Sequence, residues 1–104
     1  NLASQPTLVL AVVRQLALTA ASDYEGAVDG MQIDETIEYQ DARGFLLQAD
    51  RLLSQSVAAS ATSAKTLAPA RERITAMLQA VPSAKPPQRA LLSVSALERL
   101  AEGI

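Results

Sequence analysis

The sequence DYEGAVDGMQIDETIEYQD, residues 23–41, sets the organisation of this chain. It contains both tyrosines, two of the four glycines and seven of the eleven acidic residues of the protein. The sequence on either side is rich in Ala and Leu, which favour helix because they lose little conformational freedom on entering one. We therefore expect a helix on each side of this acidic segment, and any specific chemistry within the segment itself.

The composition limits the size and the chemistry of the protein. A chain of 104 residues is expected to form a single domain, residues 1–104, that buries about two-thirds of its unfolded surface. Its net charge is −2 and its basic residues are scattered, so we expect no nucleic-acid partner. It has no Cys and no His, which excludes within this chain a structural zinc site, an attached haem, a thiol nucleophile and a Ser-His-Asp triad. We expect no enzyme, and any metal ligands should be carboxylate, phenolate or carbonyl oxygens.

The first predicted helix is apolar on two faces. It begins at Pro6 or Thr7, since Pro suits a first helical turn, and the glycines Gly26 and Gly30 are expected to end it. The segment 7–21 is too short to cross a membrane and carries Arg14 near its centre. One apolar stripe has the helical spacing of a core face and consists of Val9, Val12, Val13, Leu16 and Ala20. A second stripe makes the opposite side apolar and consists of Leu10, Ala17, Leu18 and Ala21. We expect cover on both sides within a bundle, and the alternative is a subunit contact.

The rest of the chain predicts three more helices and no strand. Their limits are set by capping residues, prolines and a Ser/Thr-rich patch. The second helix begins after an N-cap at Asp34 and frays within residues 54–66, and the third begins within residues 66–69. The last spans about 87–102, or is two helices divided at Ser95. The buried stripe of the second helix is predicted as Ala42, Phe45, Leu46, Ala49, Leu52, Leu53 and Val57. Four amphipathic helices with short connections predict an all-α, antiparallel up-down four-helix bundle without a sheet.

The start of the second helix carries the main candidate for chemistry. With the apolar stripe facing the core, an ideal helix of about 3.6 residues per turn places Glu38 on the same face and Asp41 at its edge. These carboxylates are three residues apart and can converge. Asp23 and Tyr24, at the end of the first helix, are the nearest groups to complete a cation site if the two helices are antiparallel neighbours.

A purely structural interpretation of the same residues is also open. Acidic side chains cluster in first helical turns because the positive end of the helix dipole favours them. Tyr24 and Tyr39 also suit the edge of a core, with the ring buried and the hydroxyl in water. Arg43 is predicted to be a surface charge.

A family pattern runs through residues 16–53. It consists of Asp or Glu before Tyr, then Ala or Gly before Val, a spacer with Gly, a hydrophobic residue, and Glu-Tyr followed by another acid. In this chain it reads Asp23-Tyr24-Glu25-Gly26-Ala27-Val28, Asp29-Gly30, Ile33 and Glu38-Tyr39-Gln40-Asp41. It resembles the extracytoplasmic helical region of bacterial high-affinity iron permeases. The chain departs from the pattern at Glu25, where Pro is common, at Asp41, where Glu is usual, and in a spacer one residue shorter.

The resemblance implies an accessory module of an iron-uptake permease, located in the periplasm or otherwise outside the cytoplasm. The family's transport motif, Arg-Glu-x-x-Glu on a membrane helix, is absent from this sequence, so the likeness is to the periplasmic portion or to a stand-alone relative. By resemblance, Glu38 and Asp41 take the positions of the family's acidic pair, and Asp23 and Tyr24 those of its Asp-Tyr. The implied cargo is iron, held weakly, and the implied partner is a membrane permease domain.

A second hypothesis comes from a different class of function. The chain would be a helical interaction or dimerisation module with no metal role. The side of the first helix that carries Leu10, Ala17 and Leu18 would then form a homodimer or bind a partner such as a membrane domain or a cytochrome.

Overall fold

The computed structural model describes residues 1–104 and is helical apart from one short hairpin. Its elements in order are a 3₁₀ turn at Leu2–Ser4, α1 at Pro6–Ala27, β1 at Val28–Asp29, β2 at Gln32–Ile33, α2 at Thr36–Ala59, α3 at Ala61–Leu78 and α4 at Val94–Glu102. The strands pair antiparallel, with Val28 opposite Ile33. None of the helices combines the length and the apolar character that a membrane crossing requires.

The helices run up and down as predicted. Tyr39, near the start of α2, bonds to Ser83 just beyond the end of α3, so α3 returns to the end of the bundle where α2 begins. The Arg14 guanidinium of α1 donates to the Glu102 carbonyl at 2.6 Å, which places the last residue of α4 beside the first half of α1. Helix α1 packs against all three other helices. This arrangement confirms the four-helix bundle.

The core confirms cover on two sides of α1. Val9, Val13 and Ala20 are fully buried on the first stripe, and Ala17 is fully buried on the second. Leu10 and Leu18 are partly buried against the same core, so the side chosen for a dimer contact faces inward. Val12 was expected in the core and is instead 37% exposed. The exposed apolar side of α1 is therefore the one that carries Leu8 and Val12.

Helix α2 is rotated relative to its predicted orientation. Tyr39 and Ser56 are fully buried and extend the stripe of Ala42, Leu46, Ala49 and Leu53. Phe45, Leu52 and Val57, which were expected within the core, are only partly buried against it. The centre of the buried face therefore lies farther from Phe45 and closer to Tyr39 than predicted.

The acidic segment forms more regular structure than predicted. Helix α1 continues through Gly26 to Ala27, so only Gly30 acts as a turn residue, with φ of +64°. The prediction of no sheet was wrong, because β1 and β2 form a hairpin around that turn. Asp34 is not the cap of α2: the N-cap residue is Glu35, and its side chain makes no capping hydrogen bond.

The later boundaries follow from two serine caps. Ser60 alone separates α2 from α3, and its hydroxyl accepts a hydrogen bond from the Ser63 N–H at 3.0 Å. Helix α3 therefore begins several residues before the predicted start, and Pro69 lies inside it, exposed to solvent. Helix α4 begins at Val94 because the Ser93 hydroxyl accepts from the Ala96 N–H at 3.1 Å. Both predicted starts of this helix were wrong, since its cap is neither near residue 87 nor at Ser95, whereas its predicted end at residue 102 is confirmed.

Candidate functional site

The two tyrosines of the acidic segment hold the connection between α3 and α4. This connection, residues 79–93, is called the crossover segment below. The Tyr24 hydroxyl donates to the Leu92 carbonyl at 2.6 Å, and the Tyr39 hydroxyl donates to the Ser83 carbonyl at 3.0 Å. Both rings are fully buried. The predicted burial of the rings is confirmed, but the hydroxyls bond to backbone carbonyls of the crossover segment and are not left to water.

Burial raises the pKa of both phenols above the ordinary value of 10.0. For Tyr39 the nearby positive charge of Arg43 acts in the opposite direction, as a smaller effect. Both hydroxyls therefore keep their protons at neutral pH and act as hydrogen-bond donors. Arg43, expected to face water, is partly buried, and its Nε is enclosed without a hydrogen-bond acceptor.

The hairpin completes this attachment of the crossover segment. The Ala90 N–H donates to the Met31 carbonyl at 2.7 Å, and Gln32 and Arg89 form a β-bridge. The Gln40 amide donates to the Ala84 carbonyl at 3.0 Å. The crossover segment is therefore fixed across the end of the bundle where α1 ends and α2 begins.

Asp23 and Asp41 approach each other where α1 and α2 pack together. Partial burial is the main cause that raises the pKa of Asp23 above 3.8, and the negative charge of Asp41 is the second cause. Asp23 is half-buried, whereas Asp41 is exposed. One carboxylate from each helix therefore lies within electrostatic range of the other.

Glu38 lies one turn before Asp41 and packs against the last turn of α1. A Cβ atom added to Gly26 would overlap the Glu38 carboxylate, and its three nearest atoms would all belong to that side chain. Glu38 Oε2 is enclosed and has no hydrogen-bond donor. A buried carboxylate oxygen without a partner is costly, because it has lost its hydration without replacement.

The four predicted ligands therefore divide into two groups. Asp23, Glu38 and Asp41 lie along one seam between α1 and α2, with Asp23 and Gly26 on one side and Glu38 and Asp41 on the other. The Tyr24 hydroxyl is directed to the crossover segment. No three acidic, His or Cys side chains converge closely enough to hold a metal ion in this structure.

A second acidic group was not found by sequence reasoning. Glu25, Glu98 and Glu102 line a shallow cavity of about 260 Å³ between α1 and α4. A hydrogen bond with Glu25 raises the pKa of Glu98, and burial and the charges of Glu25 and Glu102 add to this effect. The spacing of Glu98 and Glu102, one helical turn apart, was the available signal. Their nearness to Glu25 depends on α4 lying along α1, which the local sequence does not determine.

Comparison with known proteins identifies a family. A family model described as an iron permease-associated 4-helix bundle domain matches residues 1–104, the whole chain. No curated protein and no solved structure matches the chain significantly.

Proposed function

Because this chain belongs to the family of iron permease-associated 4-helix bundle domains, we propose that it is an extracytoplasmic accessory module of an iron-uptake permease. It binds an iron ion weakly through the carboxylates of Asp23, Glu38 and Asp41 and passes it to the permease. It has no catalytic activity of its own. Tyr24, the fourth residue of the predicted set, holds the crossover segment and is not a ligand in this proposal, since its hydroxyl is committed to the Leu92 carbonyl.

The observation that supports this proposal is the enclosed, unpartnered Oε2 of Glu38. A cation at this seam would supply the missing partner and offset the cost of burying the oxygen. It would also relieve the repulsion between Asp23 and Asp41, which contributes to the raised pKa of Asp23. Carboxylates from neighbouring helices, joined there by histidines, are the ligands that helical bundles use for iron and manganese. A small movement of the three side chains would be needed to close the site, which suits weak and reversible binding.

Thermal unfolding with and without metal tests the proposal. A ligand that binds only the folded protein stabilises it by mass action, by about 2.7 kcal/mol at 100 times its Kd. We expect ferrous ion to raise the melting temperature, and we would run manganese and calcium in parallel as oxygen-binding comparisons. Replacing Glu38 with Gln should raise the melting temperature in metal-free buffer and abolish the response to ferrous ion.

Glu35→Gln is the matched control, because it removes a charge from the same end of α2 but from an exposed side chain. This variant should keep the response to ferrous ion. The structural interpretation predicts the opposite sign for Glu38→Gln, a loss of a few tenths of a kcal/mol from the dipole interaction. If Glu38→Gln shows that loss and the unmutated protein does not respond to iron, the acidic residues have only a structural role.

A second candidate function is a helical interaction module without a metal role. Leu8 and Val12 are 50% and 37% exposed on the outer side of α1. They lie near Ala11 and Leu16, which line a shallow and largely apolar depression. A permease domain, a cytochrome or a second copy of the chain would bind there, and not on the inward side of Leu10 and Leu18. Sedimentation of the unmutated protein and of Leu8→Glu tests the dimer, and a monomer in both would remove it.

A further inference from the structure

We propose that Gly26 is the positioning residue of Glu38: the absence of a side chain at Gly26 provides the space in which the Glu38 carboxylate lies. This inference rests on the proposed function, because it assigns to Gly26 the placement of one carboxylate of the proposed iron site. Gly26 belongs to α1 and Glu38 to α2, so the placement acts across the contact between the two helices.

Backbone conformation does not explain the glycine at position 26. Gly26 lies within α1, and Gly30 is the glycine of the chain with a positive φ. Any residue with a side chain could adopt the helical backbone there, and most would favour the helix more than Gly does. The requirement for Gly must come from what lies beside it.

Glu38 is what lies beside it. The three atoms nearest to a Cβ at position 26 are Oε2, Cδ and Oε1 of Glu38, with Cδ at 2.8 Å. None belongs to the backbone of a neighbouring helix, so the nearest neighbour of position 26 is the end of a side chain. A methyl group at this position would displace the carboxylate, which is the flexible end of its side chain, and leave the helices in place.

The chain offers a matched control for this inference. Gly44 lies within α2, and a Cβ added there meets nothing within 4 Å. Gly44→Ala therefore reports the effect of improved helix propensity alone. Gly26→Ala adds to that effect the displacement of Glu38.

Two measurements on Gly26→Ala, Gly44→Ala and the unmutated protein test the inference. The first is the ¹³C chemical shift of the Glu38 carboxyl group in metal-free buffer. It should move in Gly26→Ala and stay in place in Gly44→Ala. The second is the rise in melting temperature on addition of Mn²⁺. It should be present in the unmutated protein and in Gly44→Ala, and lost in Gly26→Ala. In metal-free buffer, both variants should have a higher melting temperature than the unmutated protein.

The outcomes separate this inference from the proposed function. An unchanged Glu38 carboxyl shift in Gly26→Ala overturns the inference, and so does a Mn²⁺ response that survives that substitution. A melting temperature of Gly26→Ala below that of the unmutated protein also overturns it, because the glycine would then be serving helix packing. If neither the unmutated protein nor Gly44→Ala responds to Mn²⁺ or ferrous ion, the proposed function fails. The carboxyl shift then still decides whether Gly26 positions Glu38.

Discussion

Replacing Tyr24 with Phe removes one hydroxyl and keeps a ring of nearly the same shape in the core. The hydroxyl donates to the Leu92 carbonyl at 2.6 Å, and the tyrosine side chain is fully buried. A neutral hydrogen bond contributes about 1 kcal/mol to stability, and a carbonyl left without its partner raises the total loss to about 1–3 kcal/mol. For a domain of this size, each kcal/mol lowers the melting temperature by about 4–8 °C.

Tyr39→Phe is the matched comparison for this prediction. Its hydroxyl donates at 3.0 Å to the carbonyl of Ser83, which is an exposed residue, so water can replace the lost donor. We expect a loss of only about 0.5–1 kcal/mol. Urea unfolding followed by circular dichroism gives both values.

Hydrogen exchange shows whether the loss arises at the crossover segment. The Ala90 amide, which donates to the Met31 carbonyl, should exchange faster in Tyr24→Phe, because the neighbouring Leu92 anchor is gone. A loss below about 0.3 kcal/mol in Tyr24→Phe, with unchanged exchange at Ala90, would show that the hydroxyl does not hold the crossover segment.

Three further predictions concern the packing, charge and capping of the bundle. Leu53→Ala should lower the free energy of unfolding in urea by about 2–5 kcal/mol, and Leu52→Ala by clearly less, since of these two residues only Leu53 is fully buried. Equal losses would show that α2 has the orientation predicted from the sequence. The pKa of Asp23 is raised by burial and by Asp41, so the folded protein holds this proton more tightly than the unfolded chain does. Asp23→Asn should therefore raise the free energy of unfolding at pH 7, and this gain should shrink as the pH falls through the folded pKa toward 3.8. Ser60→Ala should cost about 1 kcal/mol, because it removes the cap of α3; no measurable loss would show that the cap is replaced by water.

The sequence predicted the bundle because helical periodicity is a local property of each segment. The rotation of α2 was not predictable in the same way. Ala42 and Ala49 fit the stripe centred on Phe45 and the one centred on Tyr39 equally well, and the packing of Tyr39 beneath the crossover segment decides between them. The buried stripe is therefore set by a contact between distant parts of the chain, which the local sequence does not show.

The late start of α4 and the role of Gly26 have the same kind of cause. Residues 87–92 could have continued a helix on propensity alone, but the Leu92 carbonyl and the Ala90 amide bond to other parts of the fold. Gly26 was interpreted as a helix breaker because glycine disfavours helix, and its distinctive contact is with a side chain of the next helix. The candidate carboxylates could be chosen from the sequence because they lie close to the end of α1 and the start of α2, which an antiparallel pair of helices must bring together.

The cation that we propose at the seam between α1 and α2 can be located directly. Mn²⁺ broadens the NMR signals of nuclei near the site that it occupies. In a titration followed by amide ¹H–¹⁵N spectra, we expect selective broadening at Asp23, Gly26, Glu38 and Asp41 at the lowest Mn²⁺ concentrations, and its loss in Glu38→Gln. Broadening that begins instead in the cavity of Glu98 and Glu102, or that shows no selectivity along the chain, would contradict the assignment of the site.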